Sequence, residues 1–297
     1  MDEINTFYEP VKMRDGELIR VAWVEPSAAP KAVIQILHGF AEHIAHYLEV
    51  AYYFAENGYA CVIHDQRGFG EMPGKTKAQR KACQGIVRDY KSFLDDIETL
   101  REKIESHHPN VPVILYGHSM GGTIAASYLM ESGRQGFSKA ILETPWLRLK
   151  KPPSHATEAA ARLLGAISPK FATVRKLDPE EIVRDREKTE KLQYDEYYHN
   201  RISLRLYTQI TDAGKAAISG AACISTPVLL LCAGNDKLVS SEAIREFHSH
   251  AGDNIEFKEF PDGFHSLHND IVSDEVMCDM MYFCECGKKA LAQQKVL

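Results

Sequence analysis

The sequence predicts an α/β fold: a doubly wound, mostly parallel sheet with a helical cap insertion. Three observations carry this expectation. Apolar runs of strand length alternate with stretches of helical periodicity, the pattern of successive βα units with helices on both sheet faces. The alternation breaks after Leu142 and resumes at residue 227. The residues able to do chemistry fall where apolar runs end, which is where an open parallel sheet places its site.

Taken in order, two strand-like runs flank Asp15-Gly16, a hairpin signal. Residues 32–37, AVIQIL, read as a buried strand. Residues 59–63, YACVI, are the next, after a helical stretch ending on Asn57-Gly58, a pair suited to a helix C-terminus. Ile86, Tyr90, Phe93, Ile97, Leu100 and Ile104 recur at steps of four and three, one apolar stripe on a long helix. Residues 112–116, PVILY, form the third buried strand, 119–131 a helix rich in Ala, Met and Leu, and 139–142, KAIL, the fourth strand. After the break come a strand at 227–231, a helix near 241–250, a strand at 255–260 and a last helix from about 271. The interruption has a stripe of its own in Ala156, Ala159, Ala160, Leu163, Leu164 and Ile167. The chain therefore divides into a core, residues 1–144 and 221–297, and a helical cap, residues 145–220. The cap holds 14 Lys/Arg against 10 Asp/Glu, a net of +4, and the core 21 against 31, a net of -10.

Composition narrows the function. Hydrophobic residues are 44% of the 297 and charged residues 26%, which excludes wholesale disorder. A net charge of -6 argues against nucleic acid as a partner, since phosphate binding needs a basic surface. The N-terminal MDEINTFYEP lacks the apolar run of a secretory leader, and no stretch approaches the ~18 apolar residues of a membrane span. The seven cysteines are odd in number and lie mostly in apolar runs, as expected of buried free thiols in a cytoplasmic protein. Cys284-Glu-Cys286 has the wrong spacing for a zinc pair, and His38, His43 and His46 with Glu42 match no zinc motif. Gly68 and Gly70 lack the third glycine of a dinucleotide fingerprint. No metal and no cofactor is expected.

Gly117-His118-Ser119-Met120-Gly121-Gly122 follows the third buried strand and opens a helix. A strand–turn–helix of this kind exposes its serine on a sharp turn that requires small neighbours. A serine hydroxyl is a poor nucleophile near neutral pH without a base, and the base needs an orienting carboxylate. Asp236 follows the strand at 227–231, and His265 follows the strand at 255–260. Both are strand-end loop positions, with Asn235 and Asp262 as competing neighbours for the acid. The oxyanion of an acyl-transfer intermediate needs donors. The Met120 amide, at a helix N-terminus, and the Phe40 amide, in the loop after the first parallel strand, are the candidates.

These motifs resemble the α/β-hydrolase fold, and more narrowly the monoacylglycerol lipase and lysophospholipase (L2-type) family. The resemblance rests on His38-Gly39 with Glu42-His43 and Tyr47, the turn at Asp65, Arg67, Gly68 and Gly70, the Ser119 turn, and His265-Ser-Leu-His268. It extends into the cap at Val183-Arg184-Asp185 and Tyr194-Asp195, and departs at Met72 and at Glu143-Thr-Pro145. It implies a serine hydrolase of carboxylic esters with Ser119, Asp236 and His265 as the catalytic residues and His268 in support. The cap would set the substrate. Trp146, Leu147, Leu149, Leu163, Leu164, Ile167 and Phe171 are expected either to line an acyl pocket or, for the stripe, to pack the cap on the core. A small, aromatic or thioester acyl group, an aminopeptidase-like amide, and a non-catalytic binding protein are the alternatives. Arg148, Lys150 and Lys151 beside Trp146 suggest transient contact with an anionic surface, unless nearby acids neutralise them.

Overall fold

The structure is a computed structural model and describes residues 3–131, 136–175 and 177–287. The chain opens with a hairpin, β1 (Asn5–Lys12) and β2 (Leu18–Glu25), and then runs through β3 (Val33–Leu37), α1 (Leu48–Glu56), β4 (Ala60–His64), α2 (Lys77–Cys83), α3 (Lys91–His107), β5 (Val113–His118), α4 (Met120–Met130) and β6 (Lys139–Glu143). The insert follows: α5 (His155–Ile167), β7 (Ala172–Val174), α6 (Pro179–Ile182), α7 (Arg186–Gln193), β8 (Arg201–Ser203) and α8 (Leu204–Gly220). The chain returns with β9 (Val228–Ala233), α9 (Ser241–His250), β10 (Ile255–Phe260) and α10 (Ser273–Cys286).

Eight strands form one sheet in the order β1-β2-β4-β3-β5-β6-β9-β10. The pairings from β4 to β10 are parallel; those of β1 with β2 and β2 with β4 are antiparallel. The central strands are buried on both faces, as a parallel sheet between helix layers requires. In β3, Val33 and Leu37 face the cluster packed by α3, α4, α8 and α9, while Ile34 and Ile36 face the one packed by α1 and α10. The polar Gln35 points to the first side, where its amide donates to the Ile97 carbonyl at 3.1 Å.

Three features differ from the sequence reading. The stripe expected to begin at Ile86 becomes a helix only at Lys91; Gly85, just before the stripe, takes φ +66°. There it lies against the Arg201 backbone so closely that a Cβ would collide. The insert contains a two-stranded ribbon, β7 with β8, as well as helices. And α8, expected in the cap, packs on α4 and α9 and buries Leu206, Ile210, Ala217 and Ile218 in the core. The helix layer flanking the sheet therefore includes α8.

The expected stripe of α5 is also turned around. Its buried residues are Ala161 and Gly165, and Gly165 lies against the Arg205 backbone. Leu163, Leu164 and Ile167 are 63%, 48% and 73% exposed. Two helices approach most closely where small side chains meet, and that contact takes the face away from the larger residues.

Candidate active site

Ser119 occupies the turn between β5 and α4 with φ 51° and ψ -114°. This positive φ is uncommon for a residue with a side chain and marks a strained turn. The turn closes because the residues two positions to either side, Gly117 and Gly121, lack side chains: a Cβ on Gly117 would meet the Gly121 carbonyl oxygen at 2.5 Å. The Ser119 amide donates to the Glu143 carbonyl at 3.0 Å, and its carbonyl accepts from the Trp146 amide at 2.9 Å, so the end of β6 clamps the turn from both sides.

His265, in the loop after β10, places Nε2 2.9 Å from Ser119 Oγ and Nδ1 2.7 Å from Asp236 Oδ2. Asp236, after β9, spends its other oxygen on the amides of Leu238 and Val239 at 2.7 and 2.9 Å. Its rotamer is thereby set, and the imidazole's orientation with it. Asp262, the competing acid, is exposed. An imidazole oriented by a carboxylate and hydrogen-bonded to a serine can take that serine's proton as the hydroxyl attacks a carbonyl. The Phe40 and Met120 amides have no hydrogen-bond partner among the described residues, and Met120 begins α4, where the helix dipole favours negative charge.

Beneath His265 lies a polar network that the sequence did not reveal. The Thr144 hydroxyl donates to the His265 carbonyl at 2.8 Å, and His118 Nε2 lies 3.3 Å from the same oxygen. His118 Nδ1 meets Glu42 at 3.2 Å, and Glu42 also accepts from the Gly39 amide and the Tyr47 hydroxyl, each at 2.6 Å. His268 Nδ1 lies 2.9 Å from Glu143, which also accepts from the Tyr116 hydroxyl. Burial opposes charge on all three titrating groups, but their mutual attraction outweighs it. His118 is held up at about 9 by Glu42 and Glu143. Glu143 is held down at about 2 by His268, His118 and Tyr116, and Glu42 lies well below the usual carboxylate range beside His118. Sequence offered one signal for this network: an acid, Glu143, at the end of an otherwise apolar strand.

His38, His43 and His46 shape loops. Burial pulls His38 down to about 3, so it stays neutral, with Nδ1 on the Gly39 carbonyl at 2.7 Å and Nε2 accepting from the Gln66 amide at 2.7 Å. His43 and His46 both reach Asp195 of the insert, at 2.5 and 2.9 Å. The Ala45 amide faces His43 Nδ1 at 3.3 Å, so the His43 proton sits on Nε2 and points at Asp195. That tautomer favours a clasp between core and insert over a metal site, where Nδ1 would donate.

A narrow cavity of about 30 Å³, room for roughly two waters, opens onto Ser119 and His265. Of the residues expected to line an acyl pocket, Trp146 borders this cavity, and Phe40 lies in the same wall. Leu147 is buried against Gly214 of α8, and Leu149 forms a backbone bridge with Val239. Leu163, Leu164, Ile167 and Phe171 lie on the outer surface, Phe171 being 53% exposed. Their places in the wall are taken by Arg175, Leu177, Ile182, Tyr198, Leu238 and Val239. The sequence could not show this, because the α5–α8 contact decides which face of α5 looks inward.

The family model described as serine aminopeptidase, S33 (Hydrolase_4) matches residues 28–271. The chain belongs to this family. It is an α/β-hydrolase of the lipase and esterase type, on the monoglyceride-lipase-like branch. It is 31% identical over 268 residues to a monoglyceride lipase homolog of monkeypox virus, covering 90% of this chain and 92% of that protein. It is 27% identical to the phospholipase YtpA of Bacillus subtilis, over 86% of this chain and 95% of that one. Its fold matches a monoglyceride lipase from Saccharomyces cerevisiae, solved with a substrate analog, at a TM-score of 0.81 and 20% identity over 97% and 96% of the two chains. Among the described residues of this α/β-hydrolase, no helix is long and apolar enough to cross a membrane.

Proposed function

We propose that the protein hydrolyses monoacylglycerols or lysophospholipids, with Ser119 as nucleophile, His265 as general base and acid, and Asp236 orienting His265. The observation that carries this is the continuous hydrogen-bonded chain from Asp236 through His265 to Ser119. Ser119 Oγ attacks the ester carbonyl as its proton passes to His265. The oxyanion is held by the Phe40 and Met120 amides, and the alcohol leaves with the proton from His265. Water, deprotonated by the same imidazole, then releases the acid. The lipid assignment draws on the monoglyceride lipase and phospholipase relatives.

The insert serves as a cap, and its outer face, with Leu163, Ile167 and Phe171 exposed, makes transient contact with lipid surfaces that present the substrate. The seven cysteines are all free thiols, which suits a cytoplasmic location. Hydrolysis of p-nitrophenyl esters from acetyl to palmitoyl, beside monoacylglycerol and lysophosphatidylcholine, tests the reading. Turnover that peaks on the lipid esters is the expected result. Turnover confined to acetyl or aromatic esters overturns the lipid assignment, and failure of a fluorophosphonate to label Ser119 overturns the nucleophile.

A further inference from the structure

Arg175 lines the same cavity as Ser119 and His265, and it is placed there with care. It directly follows β7, and its amide donates to the Asn200 carbonyl at 2.8 Å, so the ribbon fixes its backbone. Its guanidinium stacks over the Trp146 ring, 5.0 Å from the centroid. Trp146 is locked in turn: its amide is on the Ser119 carbonyl, and its own carbonyl accepts from the Thr123 hydroxyl at 2.8 Å. The cationic group is therefore tied, through one aromatic ring, to the turn that carries the nucleophile.

The guanidinium has no carboxylate partner among the described residues. Four arginines elsewhere in the fold are paired. Arg67 grips Asp96 at 2.5 Å, Arg184 grips Asp270, and Arg162 and Arg245 reach Asp212 and Glu259 at 2.6 and 2.7 Å. Asp236 and Glu181 act on Arg175 only at a distance, and burial pulls its pKa below the ordinary arginine value. A second donor in the wall is also open: the Tyr198 hydroxyl is buried with no hydrogen-bond partner among the described residues. The one carboxylate in the wall, Glu42, is already spent on His118, Tyr47 and the Gly39 amide. A hydroxyl buried without a partner costs stability, and a half-buried guanidinium with an aromatic face on one side and no carboxylate beside it keeps donors free for an oxyanion.

We propose that Arg175, with Tyr198, is a specificity residue that binds an anionic oxygen group, a carboxylate or a phosphate, carried by the ester substrate. The proposal rests on the ester-hydrolase reading and sharpens it, selecting esters with a negative charge near the scissile bond over neutral ones. A guanidinium in a partly dry cavity offers an oxyanion charge-assisted hydrogen bonds, which a neutral acyl chain or glycerol cannot use in the same way.

The test compares the full-length wild type with Arg175→Gln, Arg175→Lys and Tyr198→Phe on two matched pairs of esters. In one pair the charge is on the acyl side, p-nitrophenyl monoglutarate against p-nitrophenyl pentanoate. In the other it is on the alcohol side, the phosphate monoester of monodecanoylglycerol against monodecanoylglycerol itself. In at least one pair the wild type should favour the anionic ester. Arg175→Gln should then lower the anionic-to-neutral ratio of kcat/KM by about tenfold or more, mainly through KM, with part recovered in Arg175→Lys. Tyr198→Phe should lower it by about threefold. The pair that responds locates the charge on the substrate. A ratio unmoved by Arg175→Gln in both pairs, or a wild type that disfavours both anionic esters, overturns the proposal and leaves Arg175 as a stacking support for Trp146. Turnover of the neutral esters and fluorophosphonate labelling report on the ester-hydrolase reading alone. Their success beside a flat ratio removes only the arginine proposal, and their joint failure in the wild type removes both.

Discussion

At the carboxyl edge of the sheet, Glu143 and His268 have fully buried side chains that hold each other at 2.9 Å, while on the insert Leu163 and Ile167 stand in solvent. The usual assignment of polar to outside and apolar to inside is inverted in both places. At the edge the inversion is fully compensated, since each buried charge has an opposite charge or several donors around it, and the result is a rigid floor under His265. On the insert it is not compensated: Leu163 and Ile167 are mostly exposed, and Arg175 has no carboxylate partner among the described residues. Compensated inversion holds the Ser119, His265 and Asp236 side chains in place without a ligand. Uncompensated inversion leaves positions for something else to complete.

Ser119→Ala should give the largest effect on the core side, a loss on the order of 10⁶ in kcat with the fold intact. Steady-state assay and a thermal melt of the variant check it; residual activity of a few per cent would move the nucleophile elsewhere. Asp236→Asn follows at about 10⁴ in kcat, because the imidazole loses its orienting acceptor. Asp262→Asn should change little, since that side chain is exposed. Equal losses in the two variants would refute the 2.7 Å contact as the functional one.

The edge network should also appear in stability against pH. His118 sits at about 9 against an ordinary 6.5, so its stabilisation is full below about pH 6.5 and is lost as pH rises through 9. The loss is on the order of 3 kcal/mol, and a His118→Gln variant should lack this slope in urea melts taken between those limits. At the acid end, Glu143 near 2 against 4.5 keeps its stabilisation above 4.5 and loses it as pH falls through 2. A wild type whose stability is level from pH 6.5 to 9 would mean that the floor is not charged as described.

On the insert, Leu163→Asp with Ile167→Asp should lower turnover of aggregated monoacylglycerol by several-fold while sparing a dispersed short-chain ester. Equal loss on both would show that this face supports the fold and not lipid contact. The smallest effect belongs to the basic segment after Trp146. Arg148 pairs with Glu246, and Lys150 lies 3.4 Å from Glu242, both acids on α9. Lys150→Glu with Lys151→Glu should therefore shift kcat/KM on a lysolipid by less than about twofold at low salt, where exposed charges act over the longest range. A larger shift would restore the anionic-surface reading.

Most of the core was legible because its signals are local. Residues 32–37 and 112–116 are apolar runs of strand length, and both form strands buried on two faces. Ser119, Asp236 and His265 each follow such a run, so identifying the strands placed all three at one edge. The start of α3 lies five residues beyond Ile86, after a segment whose first residue, Gly85, packs on the Arg201 backbone more than 100 residues away in the chain. The α5 stripe was misread for a related reason: periodicity locates an apolar face but not its partner, and Gly165 against Arg205 took the contact.

The sequence by itself determined the order of elements, the strand ends that carry serine, acid and histidine, and the place of the insertion. These follow from backbone propensity and from apolar period, which act over a few residues. Tertiary structure alone decided that Glu143, His118, Glu42 and His268 share one buried network, that Asp195 clasps His43 and His46, and that Arg175 comes to the wall of the Ser119 cavity with no carboxylate paired to it among the described residues. The reason is that burial and charge pairing are properties of the space between elements. A carboxylate or guanidinium reads the same in the chain whether it ends in water, against an opposite charge, or facing the position of a substrate.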